Sequence, residues 1–161
     1  MNDAEAETWR DKEISATNYR NKLRLARERK GMSQHEAADL MAFFLGGRGA
    51  YYDIEEHEHD FTYCYSLNEI KRVCKQLDIH PRDLFCENTS VELSISEVIE
   101  IIKRHCVGTK VSISEFEDIA GWELESCLEN PPKALDEWNV DCLIDVSREL
   151  KIDWRCVIAG L

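Results

Sequence analysis

No stretch of this chain is apolar for long enough to be a membrane span, which takes about 20 consecutive nonpolar residues. The opening segment, MNDAEAETWRDKEISATN, alternates acids, bases and small residues around no apolar centre, so it reads as neither a secretory signal nor an anchor. The seven cysteines, at 64, 74, 86, 106, 127, 142 and 156, include no Cys-x-x-Cys pair and are odd in number. That pattern excludes a zinc ribbon or a closed disulfide frame and reads as scattered core thiols in a reducing cytoplasm. Strand-like alternation is nearly absent, and no local signature marks any Cys or His as a catalytic pair.

What is present is an ordinary globular composition, with 43% hydrophobic and 32% charged residues in 161, enough for one domain or two small ones. Net charge is −12, and it is unevenly spread: residues 1–88 hold 13 basic and 17 acidic side chains, residues 89–161 hold 7 and 15. A surface of that sign repels phosphate backbones and draws basic partners, both effects weakening with salt.

Helix signals run throughout. YRNKLRLARERKG from Tyr19 predicts a basic first helix with Asn18 as cap and Gly31 as stop. Ser33 and Glu36 are spaced as a capping box, and Ala37, Leu40 and Met41 give the next helix its apolar face. Glycines in FFLGGRGAYYDIEE predict a sharp turn into a third helix over about Arg48–Glu55, followed by an acidic, His-containing loop. Ser66 and Glu69 form another capping box ahead of a stripe of Leu67, Ile70, Val73, Cys74 and Leu77, and Pro81 opens a short fifth helix.

The residues ARERKGMSQHEAADL, YYDIE and SLNEIKRVCKQLDIHPRDLF resemble the XRE (Cro and phage-repressor-like) helix-turn-helix family over about residues 19–86. The resemblance implies a five-helix unit whose second and third helices are the turn-linked pair, the third being the recognition element. Phe43–Gly49 looks about three residues longer than that family's turn.

The second half repeats the order of signals. IIKRHCVGTKVS parallels ARERKGMS, Ser112–Glu115 repeats Ser33–Glu36, and NVDCLIDVSRELKIDWRCVI matches the segment from Ser66. Phe116, Ile119 and Leu128 are expected to face inward, Trp122, Trp138 and Trp154 to fill the second core, and Pro131-Pro132 to sit in a loop between helices. The expected fold class is therefore all-α, with two tandem five-helix helix-turn-helix (lambda-repressor-like) units: an extension over 1–18, an XRE-like domain over 19–88 and a degenerate copy over 89–161, joined near 87–93.

Two functions compete on this reading. The resemblance implies DNA binding through Arg24, Arg27, Gln34, Arg48, Tyr51 and Tyr52, in which Arg48 would bind guanine and the bases of the first helix would neutralise phosphates. Against it, Asp53, Glu55 and Glu56 crowd the third helix, and WELESCLEN in the second half carries three acids and no base. The favoured reading is a non-enzymatic, cytoplasmic acidic module that binds a basic protein, in the manner of an immunity protein or antitoxin covering a toxin. Its contact residues would be Glu115, Glu117, Asp118, Glu123, Glu125 and Glu129, joined by Glu56, Glu58 and Asp60. No cofactor is expected. His57, His59, Asp60 and Cys64 are metal-capable in type but poorly spaced for a ligand set.

Overall fold

The computed structural model describes residues 3–86 and 88–161, with side chains from Trp9 onward, and every regular element in them is a helix. In chain order these are α1 (Asp3–Thr17), α2 (Tyr19–Arg29), α3 (Gln34–Leu45), α4 (Gly49–Glu56), α5 (Asp60–Tyr63), α6 (Leu67–Gln76) and α7 (Pro81–Phe85). They continue with α8 (Ile95–Thr109), α9 (Ile113–Ala120), α10 (Glu125–Leu128), α11 (Pro131–Glu137), α12 (Val140–Leu150) and α13 (Trp154–Ala159). The fold is all-α. Among the described residues no helix is long and apolar enough to cross a membrane.

The helix starts follow from local chemistry. Ser33, Ser66, Ser94 and Ser112 each accept the amide three residues on, satisfying one of the orphan donors of the first turn. The reciprocal half of the box is made at Ser66–Glu69 and Ser94–Glu97. At Ser33 it is replaced by a bond from the Ser33 hydroxyl to the Glu36 carboxylate, 3.2 Å.

Several expectations need correction. Among the described residues each half holds six helices rather than five, because the acidic loop after α4 contains α5 and because Pro131-Pro132 lie in the first turn of α11, not in a loop. Proline is accepted there since the first-turn amides have no helical acceptor. Asn18 adopts a left-handed φ of 53° and makes no side-chain cap. The added residues of Phe43–Gly49 lengthen α3 by a turn instead of loosening the connection, and Gly46, left-handed at φ 89°, ends that helix. Leu40 is 41% and Ile119 58% exposed, so α3 and α9 bury narrower faces than assumed. Trp138 and Trp154 are buried as expected, whereas Trp122 is half-buried.

The two halves, α2–α7 and α8–α13, run through corresponding events. Gly46 and Gly121 close α3 and α9 with left-handed caps, Asp78 and Lys151 are left-handed after α6 and α12, and His80 and Asp153 cap α7 and α13 through the amide two residues on. The halves also pack reciprocally: α5 lies on α12, α6 on α11, and α7 on α13. Across this seam the Leu67 amide donates to Trp138 O at 2.9 Å, the Asn139 side chain to Tyr63 O at 2.8 Å, and the Asn68 amide to Asp136 at 2.6 Å. The rings of Tyr19, Phe61, Phe85 and Trp154 continue the seam at centroid spacings of 5.2–6.1 Å. The buried side chains of both halves form one continuous cluster.

α1 crosses the seam on its outer side. Ile14 enters the core, while Arg10 reaches α12 and pairs with Asp145 at 2.6 Å and Asp141 at 3.6 Å. Burial pushes the Asp141 carboxyl up from its ordinary value, with Arg10 pulling the other way. Glu13 accepts the Trp154 indole N–H at 3.1 Å, and the Arg148 guanidinium sits 4.7 Å over the Trp9 ring.

The tightest backbone approach is at the C-terminal end of α13. A methyl group on Gly160 would meet Leu93 O at 2.2 Å and Leu93 C at 2.7 Å, and Leu93 N–H already donates to Cys156 O at 2.9 Å. Neither contact is with a flexible side chain that can swing away. Gly160→Ala is expected to destabilise the protein by about 1–3 kcal/mol, read as a lower midpoint in urea with an unchanged slope. An unaltered midpoint would show that the segment entering α8 does not rest on α13.

Candidate functional site

The elements that the sequence marks for recognition meet around one carboxylate. Arg27 projects from α2 on the same stripe as Tyr19, Leu23 and Ala26, so its guanidinium is carried inward and is only 7% exposed. There Nε donates to Glu55 Oε1 of α4 at 2.9 Å and Nη1 to Met32 O at 2.8 Å. Gln34, at the start of α3, donates from Nε2 to the other Glu55 oxygen at 2.7 Å. One carboxylate thus ties α2, α3 and α4 together. Burial opposes the Arg27 charge, but the bond to Glu55 and its negative charge outweigh it and hold the guanidinium above arginine's ordinary value.

That geometry engages or buries three of the six DNA-contact candidates, with Gln34 left half-buried. Arg27 and Gln34 are spent on Glu55, and Tyr51 is fully buried in the core. The other three remain accessible but engaged. Arg24 pairs with Glu28 at 2.9 Å and with Asn21, Arg48 with Asp39 at 2.8 Å, and the Tyr52 hydroxyl lies 3.3 Å from His35 Nδ1. Of the remaining bases on α2, Arg20 donates to Glu56 O, and Lys30 reaches Asp78 and Gln76 O. Beside the Glu55 cluster a cleft of about 280 Å³ is lined by Tyr19, Arg20, Arg24, Gln34, Glu55 and Glu58. Both signs of charge meet in it.

The acids of the second half are arranged differently. Glu115, Asp118, Glu123, Glu125 and Glu129 are exposed on α9, on α10 and around the turn joining them. Only Glu129 has a cationic neighbour among the described residues, Lys103 at 3.5 Å. Glu117 separates from this set: its Oε2 accepts the amides of Leu124 at 2.6 Å and Glu125 at 3.1 Å, which fixes the entry to α10. Behind the face Phe116 and Leu128 are buried as expected, and Ile119 stands out among the carboxylates.

Glu56, Glu58 and Asp60 lie at the end of α4 and the start of α5, in the first half. Glu58 is occupied, accepting from Ser15 at 3.0 Å, and its carbonyl accepts the Tyr19 hydroxyl. His57 and His59 turn to separate acids, Asp53 at 3.8 Å and Asp11 at 3.7 Å.

Sequence reasoning missed that Glu55 organises the first half and that Glu117 acts as a cap. The first had a signal, a base placed on the apolar stripe of α2, which in a folded chain requires an acid opposite. The second had none, since it depends on how the turn after Gly121 folds back. No family model matches the chain, and no curated protein or solved structure matches it.

The buried pair makes a sharp test. Glu55→Ala leaves the Arg27 charge without its partner and is expected to cost about 3–5 kcal/mol. Replacing both, Arg27→Met with Glu55→Leu, should recover most of that loss, because the desolvation penalty disappears along with the attraction. Chemical denaturation of the two variants distinguishes this from simple loss of packing, for which the double replacement would be the worse.

Proposed function

We propose that the chain is a non-enzymatic helix-turn-helix protein of the XRE kind, followed by a degenerate second copy. On this reading it works as an acidic binding module for a basic protein, as an immunity protein or antitoxin does. The corresponding caps of α3 and α9, α6 and α12, and α7 and α13 support the duplication. The observation that carries the function is the contrast between the two turn-linked helix pairs. In the first, Arg27 and Gln34 are held by Glu55, Tyr51 is buried, and Arg48 is paired with Asp39. In the second, Glu115, Asp118, Glu123 and Glu125 face solvent without an ion-pair partner among the described residues.

Such a face lowers the energy of approach for a cationic partner and gains in rate more than in lifetime. A basic active site, such as a nuclease groove, has the matching sign. The competing reading, a DNA-binding regulator acting through the first half, rests on the exposed bases Arg24 and Arg48. For it, Arg24→Glu with Arg48→Glu would abolish a salt-sensitive DNA shift while leaving binding to the basic protein intact.

The triple variant Glu123→Gln, Glu125→Gln, Glu129→Gln keeps side-chain size and removes three charges. Association with a basic protein captured by the full chain is expected to slow about tenfold at low ionic strength, with the difference shrinking as salt is raised and the thermal midpoint unchanged. Stopped-flow mixing reads the rate. An identical rate for variant and parent at every salt concentration would reduce the acids to a solvated face.

A further inference from the structure

The added turn of α3 has no counterpart in α9, which is four residues shorter, and it carries the most exposed aromatic ring of the molecule. Phe43 is 76% exposed. Its neighbour Phe44 turns inward and the two rings meet edge to face at 5.2 Å. From α6 the Arg72 guanidinium stacks over both, 4.3 Å from the Phe44 ring and 5.2 Å from that of Phe43. In the second half, by contrast, Trp122 follows the end of α9 and is covered. Its N–H donates at 2.8 Å to Asp145, which holds the place in α12 that Arg72 holds in α6, and its ring lies 6.4 Å from that of Tyr63. Phe43, with Phe44 and Arg72 as its ring contacts among the described residues, stays exposed.

The surroundings of Phe43 identify what would cover it. Glu36, Asp39, Leu40 and Phe43 share one face of α3, the pairs 36/39 and 40/43 three apart and 36/40 and 39/43 four apart, and all four are exposed. On the neighbouring α6 the exposed positions are Arg72 and Lys75. The patch therefore has an acidic edge on α3, phenyl rings in the middle and a basic edge on α6. Arg48 and His35 already share Asp39, at 2.8 and 3.4 Å, which leaves Glu36, bonded to the Ser33 hydroxyl, as the acid of that edge with no ion pair among the described residues.

A surface with opposite charges on either side of an apolar centre is complementary to itself under a two-fold rotation about that centre. The acid edge of one copy then meets the base edge of the other while the phenyl rings pack together. We propose that this patch is a self-association face, and that its occupant is a second copy of the same chain. Arg and aromatic side chains are the residue types that dominate such contacts. The patch is small, so the dimer is a weak one, with a dissociation constant on the order of 10–100 µM. It is distinct from the acidic face of α9 and α10, and neither proposal depends on the other.

Sedimentation equilibrium of the full chain tests it. The wild-type protein is expected to show a monomer–dimer equilibrium in that range, and Phe43→Ser, which leaves a small polar group at an exposed position, to remain monomeric with an unchanged circular dichroism melt. Charge variants then fix the geometry: Glu36→Lys with Asp39→Lys makes the face basic throughout, and Arg72→Glu with Lys75→Glu makes it acidic throughout. Each variant alone should lose the dimer, and an equimolar mixture of the two should regain it. A wild-type protein that stays monomeric up to about 1 mM, a Phe43→Ser variant that dimerises like the parent, or a mixture that fails to associate would each overturn the proposal.

Discussion

Much of the structure follows from the burial of α12 on almost every side. Val140, Cys142, Leu143, Ile144, Val146 and Leu150 supply the apolar contacts, but the same helix carries Asp141 and Ser147 into the interior and leaves Asp145 half-buried. Carboxylates in such a place are tolerated only with a cation and donors to hold them. Arg10 from α1 pairs with both carboxylates and the Trp122 indole N–H donates to Asp145, so the first helix and the turn after α9 are both held to α12. A polar requirement in the middle of the core thereby sets the positions of elements more than a hundred residues apart in sequence.

The first half is organised by a different polar centre. Glu55 holds Arg27 and Gln34 and so sets the mutual position of α2, α3 and α4. The second half has a buried Cys106 at the position aligned with Arg27, a side chain that cannot make the equivalent ion pair. Its α10 is instead positioned through backbone amides by Glu117. Two halves with corresponding helix order have thus reached their arrangement by unlike means, and the consequence shows on the surface. Where the first half turns Arg27 inward onto Glu55, the α9–α10 pair of the second leaves Glu115, Asp118, Glu123 and Glu125 outside.

What was legible in the sequence was what neighbours in the chain decide. Ser33, Ser66 and Ser112 marked helix starts because a cap needs only an amide three residues away, and the Leu67 to Leu77 stripe marked a buried face because its period lies within one helix. Leu40 and Ile119 misled because helical period says which residues share a side but not how wide a side its neighbours cover. Arg27 was read as a phosphate contact because its partner is 28 residues away. Pro131 was read as a breaker because proline is compatible with a helix start as well as with a loop, and the choice is made by α6 and α8, which pack on α11. The polar hold of α1 on α12 had no local mark at all.

The same hold bears on how the chain is made. Arg10 and the oxygen it binds on Asp145 are separated by 135 residues. At synthesis rates of about 5–20 residues per second, α1 leaves the ribosome roughly 7–27 s before its anchor exists. Through that interval Trp9 lacks the α12 guanidinium that will stack on it, and the Arg10 side chain that will settle against two carboxylates is without them. α13, which closes on α7, emerges later still. Folding of the first half on the ribosome therefore proceeds before α1 has its anchor on α12.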